Sequence, residues 1–64
     1  MENGSLLPRL QNLLKQYPDG LSVQELQVKL YTNFKLKLSY KDIESVFVRN
    51  LDLFHEEEGR WALK

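Results

Sequence analysis

The residues best suited to chemistry are three lysines and a tyrosine in the middle of the chain. Lys35, Lys37 and Lys41 surround Tyr40 within a stretch of seven residues. Ammonium groups pair with phosphate oxygens, and an aromatic ring offers a face on which an unstacked base can stack. This combination favours an RNA site, although Tyr40 also fits a half-buried position at the start of a helix.

Charge is distributed unevenly along the chain although it sums to zero. Residues 26–41 hold four lysines and no acidic residue, whereas residues 42–58 hold six acidic residues against Arg49 alone. We expect the lysines, joined in space by Arg49 or Arg60, to form a phosphate-contacting patch. An ordinary solvated face is the alternative, since many charged runs do no more than face water.

Other kinds of chemistry find little support in the residue types. His55 is the only histidine, and carboxylates that alternate across a strand do not converge on it as metal ligands. Ser22 and Ser39 each precede an acidic residue by three positions, which indicates helix caps rather than nucleophiles. The absence of cysteine excludes disulfides, thiol catalysis and cysteine-based zinc sites. We therefore expect no enzyme activity, no metal and no cofactor.

The length of the chain limits its organisation. With 64 residues, of which 42% are hydrophobic and 28% charged, it can build one small core. No apolar run approaches the roughly 18 residues that span a membrane, and the first residues do not form a secretory signal. We expect a cytoplasmic protein without membrane contact, in which residues 1–5 are a disordered leader and residues 6–64 are one domain.

Helical spacing of leucines predicts a first helix from about Leu6 to Tyr17, with Ser5 as its N-cap and Pro8 in its first turn. The sequence Pro18-Asp19-Gly20 predicts a tight turn, because proline disfavours helix at the preceding residue and Asp-Gly suits a reversal. Leu21 then fits a strand of one or two residues.

The serine caps predict a second helix that starts at Val23 and ends within residues 33–35, and a third helix over residues 40–49. The apolar face of the second helix includes Val23, Leu26 and Leu30, with Tyr31 further round. Between the helices, leucines alternate with lysines over residues 35–38, which favours an extended linker and also fits a short strand.

The C-terminal residues predict a β-hairpin. Residues 51–56 and 60–64 flank Glu57-Glu58-Gly59, where glycine supplies a positive φ. Trp61 is expected to pack the hairpin against the first or third helix, with an exposed stacking platform as the alternative. Three helices followed by a two-stranded hairpin predict an α+β fold, the winged helix-turn-helix, with the hairpin as its wing.

Sequence-specific binding of duplex DNA is disfavoured by this arrangement. A DNA-reading winged helix inserts its third helix into the major groove and lays a basic wing on the backbone. Here the third helix carries Asp42 and Glu44, and the wing tip is Glu56-Glu57-Glu58. These carboxylates would meet the phosphates with like charge.

In the order of these elements the chain resembles a LOTUS domain, also called OST-HTH, a winged-helix module found in Tudor-domain-containing germline proteins. The resemblance covers about residues 6–63. At the start of the third helix, Asp42-Ile43 stands where many members have a Gly-aromatic pair. The features that carry the resemblance are the leucine-rich first helix, Pro18-Asp19-Gly20-Leu21-Ser22, Glu25-Leu26, Tyr31, Phe34, Leu38, Phe54 and Gly59-Arg60-Trp61.

The resemblance is to the minimal type, which lacks the C-terminal helix with which extended members dock a helicase. It implies a non-enzymatic module that binds RNA, G-rich or structured, in a germline RNA-regulatory protein of cytoplasmic ribonucleoprotein granules. We expect a monomer. The alternative function is protein docking, in which the acidic surface of the third helix and wing receives a basic partner such as a DEAD-box RNA helicase.

Overall fold

Three helices precede a two-stranded antiparallel hairpin in the computed structural model, which describes residues 3–64. The elements are α1 (Asn3–Gln16), α2 (Val23–Phe34), α3 (Tyr40–Arg49), β1 (Phe54–Glu57) and β2 (Arg60–Leu63). This confirms the predicted α+β fold, with the architecture of a winged helix. Residues 35–39 form a linker without a strand, as the favoured interpretation of that segment predicted.

Two capping boxes set the N-termini of α2 and α3. The Ser22 N–H donates to Glu25 Oε1 at 3.0 Å, and the Glu25 N–H donates to Ser22 Oγ at 3.1 Å. Ser39 and Asp42 make the same reciprocal pair at 3.1 and 3.2 Å. Each box satisfies backbone donors that a helix start leaves without partners. Both serines are therefore helix caps, as predicted.

The start of α1 differs from the prediction. The helix begins at Asn3 rather than Leu6, so Ser5 lies inside it and is not its N-cap. Asn, Gly and Ser are weak helix formers, which favoured the later start, yet all three can adopt helical angles. Pro8 is accommodated inside α1, with the loss of one backbone hydrogen bond. Of the predicted disordered leader, residues 1 and 2 lie outside the described residues.

The turn between α1 and α2 is joined to the hairpin. The Gly20 N–H donates to the Tyr17 carbonyl at 2.8 Å, and Gly20 has a φ of +91°. Leu21 and Trp61 then form an antiparallel bridge through two backbone hydrogen bonds of 2.9 and 2.8 Å. Leu21 is thus the predicted strand stub, and its partner is the second strand of the wing.

The first strand of the hairpin starts later than predicted, and the turn contains two residues instead of three. The strand begins at Phe54 instead of residue 51, because the Asn50 carbonyl accepts from the N–H groups of Leu53 and Phe54 as the chain leaves α3. Pairing runs from Phe54 with Leu63 to Glu57 with Arg60. The turn therefore has two residues, Glu58 and Gly59, with φ of 54° and 80°. These angles match the type I′ turn that suits hairpin twist.

Phe47 of α3 lies at the centre of the core and joins α3 to the hairpin. Its ring stacks on Trp61 with centroids 4.5 Å apart and planes 9° apart. The Phe54 ring meets it edge-on at 4.8 Å. Trp61 is 8% exposed, so its predicted packing role against the third helix is confirmed and the stacking-platform alternative is wrong. Leucines of α1 and α2 complete the core, among them Leu10, Leu14, Leu26 and Leu30.

Candidate nucleic-acid interface

The basic surface begins where α2 ends. Lys35 caps the helix in the left-handed conformation, with φ 60° and ψ 30°, and its N–H donates to the Tyr31 carbonyl at 2.9 Å. The next N–H, from Leu36, reaches the Leu30 carbonyl at 3.3 Å. A helix end of this kind satisfies orphan carbonyls, but it usually places glycine at the left-handed position. Here the position carries an exposed ammonium group instead.

Beyond Lys35 the linker alternates between the core and solvent. Leu36 and Leu38 are partly buried against the core cluster, whereas Lys35 and Lys37 are exposed. The leucines at every second position are thus anchored on the core, and the lysines that alternate with them lie toward solvent. The linker then enters α3 at Tyr40.

At the start of α3, Tyr40 and Lys41 extend the basic surface. Tyr40 is 47% exposed, which is close to the half-buried cap position considered as the alternative to a stacking ring. Lys41 is exposed beside it. The helix N-terminus is already occupied, since the Asp42 carboxylate accepts the Ser39 N–H. The groups on this surface that could pair with an anion are therefore the lysine ammonium groups rather than the backbone donors at the helix end.

A groove of about 530 Å³ lies between α2 and the linker. Its residues, none of them acidic, are Gln27, Val28, Tyr31, Leu36, Lys37 and Leu38. The Gln27 side chain spans it by donating from Nε2 to the Leu38 carbonyl at 2.7 Å. Two of the groove residues are prominently exposed, Val28 at 58% and Tyr31 at 52%. Tyr31, predicted to lie further round from the apolar face of the second helix, is thus half exposed.

The two predicted arginines lie away from this surface. Arg49 is at the C-terminal end of α3, about 13 Å along the helix axis from Tyr40 at its start. Arg60 borders a surface cleft with Asp19 and two wing glutamates, Glu57 and Glu58. Of the six predicted site residues, Lys35, Lys37, Tyr40 and Lys41 are exposed on the linker and the first turn of α3, whereas Arg49 and Arg60 lie at the end of α3 and on β2.

Arg60 belongs instead to a cluster of alternating charge near the start of α2. It borders the same cleft as Glu25 and Lys29, and the Lys29 ammonium lies 4.7 Å from the centre of the Tyr17 ring. The backbone N–H of Ser22 holds the pKa of the Glu25 carboxyl below its ordinary value, and the charges of Arg60 and Lys29 act in the same direction. Arg60 is therefore surrounded by carboxylates that compete with a phosphate for it.

Exposed acidic residues lie on α3 and at the wing tip, and Glu44 is on the same face of α3 as Tyr40 and Lys41, four and three residues before it. Glu44 is exposed on α3, and the wing tip carries the exposed run Glu56-Glu57-Glu58. Among them are two exposed apolar residues, Val48 at 62% and Leu51 at 52%. His55 is partly buried on β1. Within residues 3–64, no three His, Asp or Glu side chains are grouped so that they could hold a metal ion.

The groove is a feature that the sequence did not predict. Its signal was the pair Val28 and Tyr31, three residues apart on α2 and outside the buried positions Leu26 and Leu30. Residues three apart lie on the same face of a helix, so Val28 and Tyr31 indicate a second apolar face on α2. What could not be read was that the linker folds back along that stripe.

In the part of the chain that the structure describes, no helix combines the length and apolar character needed to cross a bilayer. Comparison of the chain with protein-family models, with curated proteins and with solved structures gives no match. The fold and the exposed surfaces of the chain are therefore the observations from which a function can be argued.

Proposed function

We propose that this chain is a non-enzymatic, monomeric RNA-binding module of the minimal LOTUS type, which contacts RNA through Lys35, Lys37, Tyr40 and Lys41. The observation that carries the proposal is the grouping of these four exposed side chains on the linker and the start of α3, with no acidic residue lining the adjacent groove. The resemblance to germline proteins supports G-rich or structured RNA as the ligand and cytoplasmic granules as the setting.

Single-stranded or folded RNA suits this surface better than duplex DNA does. Such RNA can be held by a few cations and an aromatic ring, without insertion of a helix into a groove. The exposed face of α3 carries Glu44, and the wing tip has three consecutive glutamates, so both elements that would grip a duplex would repel its phosphates. RNA held by the linker lysines needs neither the insertion of α3 into a groove nor a contact with the wing.

The test uses two double charge reversals that change the net charge equally. Lys37→Glu with Lys41→Glu alters the basic surface, and Lys15→Glu with Lys64→Glu alters exposed lysines elsewhere. Titration with a G-rich RNA should show a large loss of affinity for the first pair and a small one for the second. Circular dichroism checks that both variants are folded.

Salt provides a second measure of the same contacts. If three lysines neutralise three phosphates of a single strand, the logarithm of the affinity should fall with the logarithm of salt concentration with a slope of about −2. Equal losses in the two double variants would show a non-specific effect of net charge. Absence of RNA binding by the unmodified chain at low salt would refute the proposal outright.

A second candidate function, docking of a protein partner, is favoured by the exposure of Val48 and Leu51 amid acidic residues. Apolar side chains flanked by Glu44 and Asp52 suit a basic amphipathic segment, such as one from a DEAD-box RNA helicase. Val48→Lys should abolish binding of such a helicase, and Val28→Lys, which introduces the same charge on α2, should not. Helicase binding that is insensitive to Val48→Lys would exclude this surface.

A further inference from the structure

The groove between α2 and the linker combines an apolar lining with polar groups at fixed places. Leu36 and Leu38 supply apolar surface from the linker, and Val28 and Tyr31 supply it from α2. Lys37 is the only charged residue among those that line it. The hydrogen bond from Gln27 Nε2 to the Leu38 carbonyl, at 2.7 Å, ties the two sides together. This hydrogen bond fixes the linker against α2 at one point of the groove.

These features match a flat ligand that has apolar faces, polar edges and an attached anion. Tyr31 is 52% exposed, so its ring is accessible for stacking. The Gln27 amide retains its carbonyl oxygen and a second N–H for hydrogen bonds to a ligand, since the bond to Leu38 uses only one donor. Lys37 can pair with a phosphate at the rim. A nucleobase within a single-stranded RNA has all of these properties.

We propose that this groove binds one unstacked base of single-stranded RNA, with the base against Tyr31 and the adjoining phosphate paired with Lys37. The inference rests on the RNA binding proposed above and adds a specific site to it. Lys37 gives the groove a positive charge, which RNA complements because it brings a phosphate with every base. Continuity along the linker then places the next phosphates near Lys35 and Lys41.

The test compares a G-rich RNA, kept single-stranded in lithium buffer, with an oligomer of the same length and backbone that lacks bases. Tyr31→Ala should weaken binding of the RNA by roughly 5- to 100-fold, as loss of one base–aromatic stack does. Tyr31→Phe keeps the ring and should bind like the unmodified chain. The abasic oligomer should bind all three proteins equally, because its contacts are with phosphate alone.

A second pair of variants separates an effect on the groove from a general loss of folding. Val28→Asp places a carboxylate in the groove, and Val48→Asp makes the same change on α3, at a residue of similar exposure, 62% against 58%. RNA affinity should fall for Val28→Asp and stay near that of the unmodified chain for Val48→Asp. Amide chemical shifts of Val28, Tyr31 and Leu38 should move with the RNA and hardly at all with the abasic oligomer.

The outcomes separate the groove from the wider RNA site. RNA binding that is lost on reversal of Lys37 and Lys41 but unchanged by Tyr31→Ala and Val28→Asp would overturn the base-binding groove and leave the RNA site standing. Equal binding of the RNA and the abasic oligomer would also overturn it. If neither oligomer binds, both proposals fail. Amide shifts of the groove residues that move with an apolar peptide but not with the RNA would likewise refute base binding.

Discussion

Replacement of Lys35 by glycine should stabilise the protein while it weakens RNA binding. Lys35 holds φ 60° and ψ 30°, where contact of Cβ with the backbone costs an L-residue roughly 1–2 kcal/mol. Glycine avoids that contact but loses about 0.5–1 kcal/mol through its greater freedom in the unfolded chain. At the middle of these two ranges the gain is about 0.75 kcal/mol in the free energy of unfolding, which corresponds to a rise in Tm of about 3–6 °C in a domain of this size.

Lys35→Ala is the matched control, because it removes the same charge but keeps Cβ. Its stability should stay within about 0.5 kcal/mol of the unmodified chain, as is usual for exposed positions. Urea unfolding followed by Trp61 fluorescence measures both variants, and RNA titration should show the same loss of affinity in each. Glycine and alanine variants of equal stability would refute the left-handed cap, and unequal RNA affinities would refute the assignment of Lys35 to phosphate contact through charge.

Three further changes test other parts of the fold. Gly20→Ala should destabilise the domain by about 2 kcal/mol or more in urea unfolding, because a Cβ there would lie 2.8 Å from the Trp61 carbonyl oxygen at a φ of +91°. Glu58→Asn should raise Tm by a few degrees, since asparagine before Gly59 is favoured in a type I′ turn; a lower Tm would contradict that turn type. The third change is Glu25→Gln. Folding lowers the pKa of the Glu25 carboxyl, so the carboxylate stabilises the unmodified chain at a pH above its pKa in the unfolded state. This stabilisation is lost as the pH falls through the pKa of Glu25 in the folded state. Urea midpoints of the two proteins should therefore differ at neutral pH and converge in acid, and a difference that persists unchanged in acid would show that charge is not involved.

The second and third helices could be predicted from the sequence because their signals are local. A serine and an acid three residues later satisfy each other's backbone donors in any surroundings, so Ser22 and Ser39 mark helix starts without reference to the rest of the fold. Gly59 likewise marks a reversal through its own backbone freedom. The position of Trp61 in the core followed from its size, which a small domain is expected to bury.

The features that escaped prediction depend on contacts between distant parts of the chain. The neighbours of Arg60 include Glu25 on α2, and nothing near residue 60 in the sequence indicates them. The groove requires the linker to return along α2, which is fixed by the left-handed cap at Lys35. Lysine is an unusual residue for that conformation, so propensity gave no hint of it.

The bridge between Leu21 and Trp61 bears on how the domain unfolds. Its two backbone hydrogen bonds join the first interhelical turn to the last strand, so nearly the entire chain must be in place before they form. This bridge couples the first interhelical turn and the hairpin into one cooperative unit. The amides of Leu21 and Trp61 should therefore exchange with solvent only through global unfolding. We therefore expect the base of the wing to stay attached to the first interhelical turn when the domain meets a ligand, whereas the turn at Glu58 and Gly59 lies beyond this restraint.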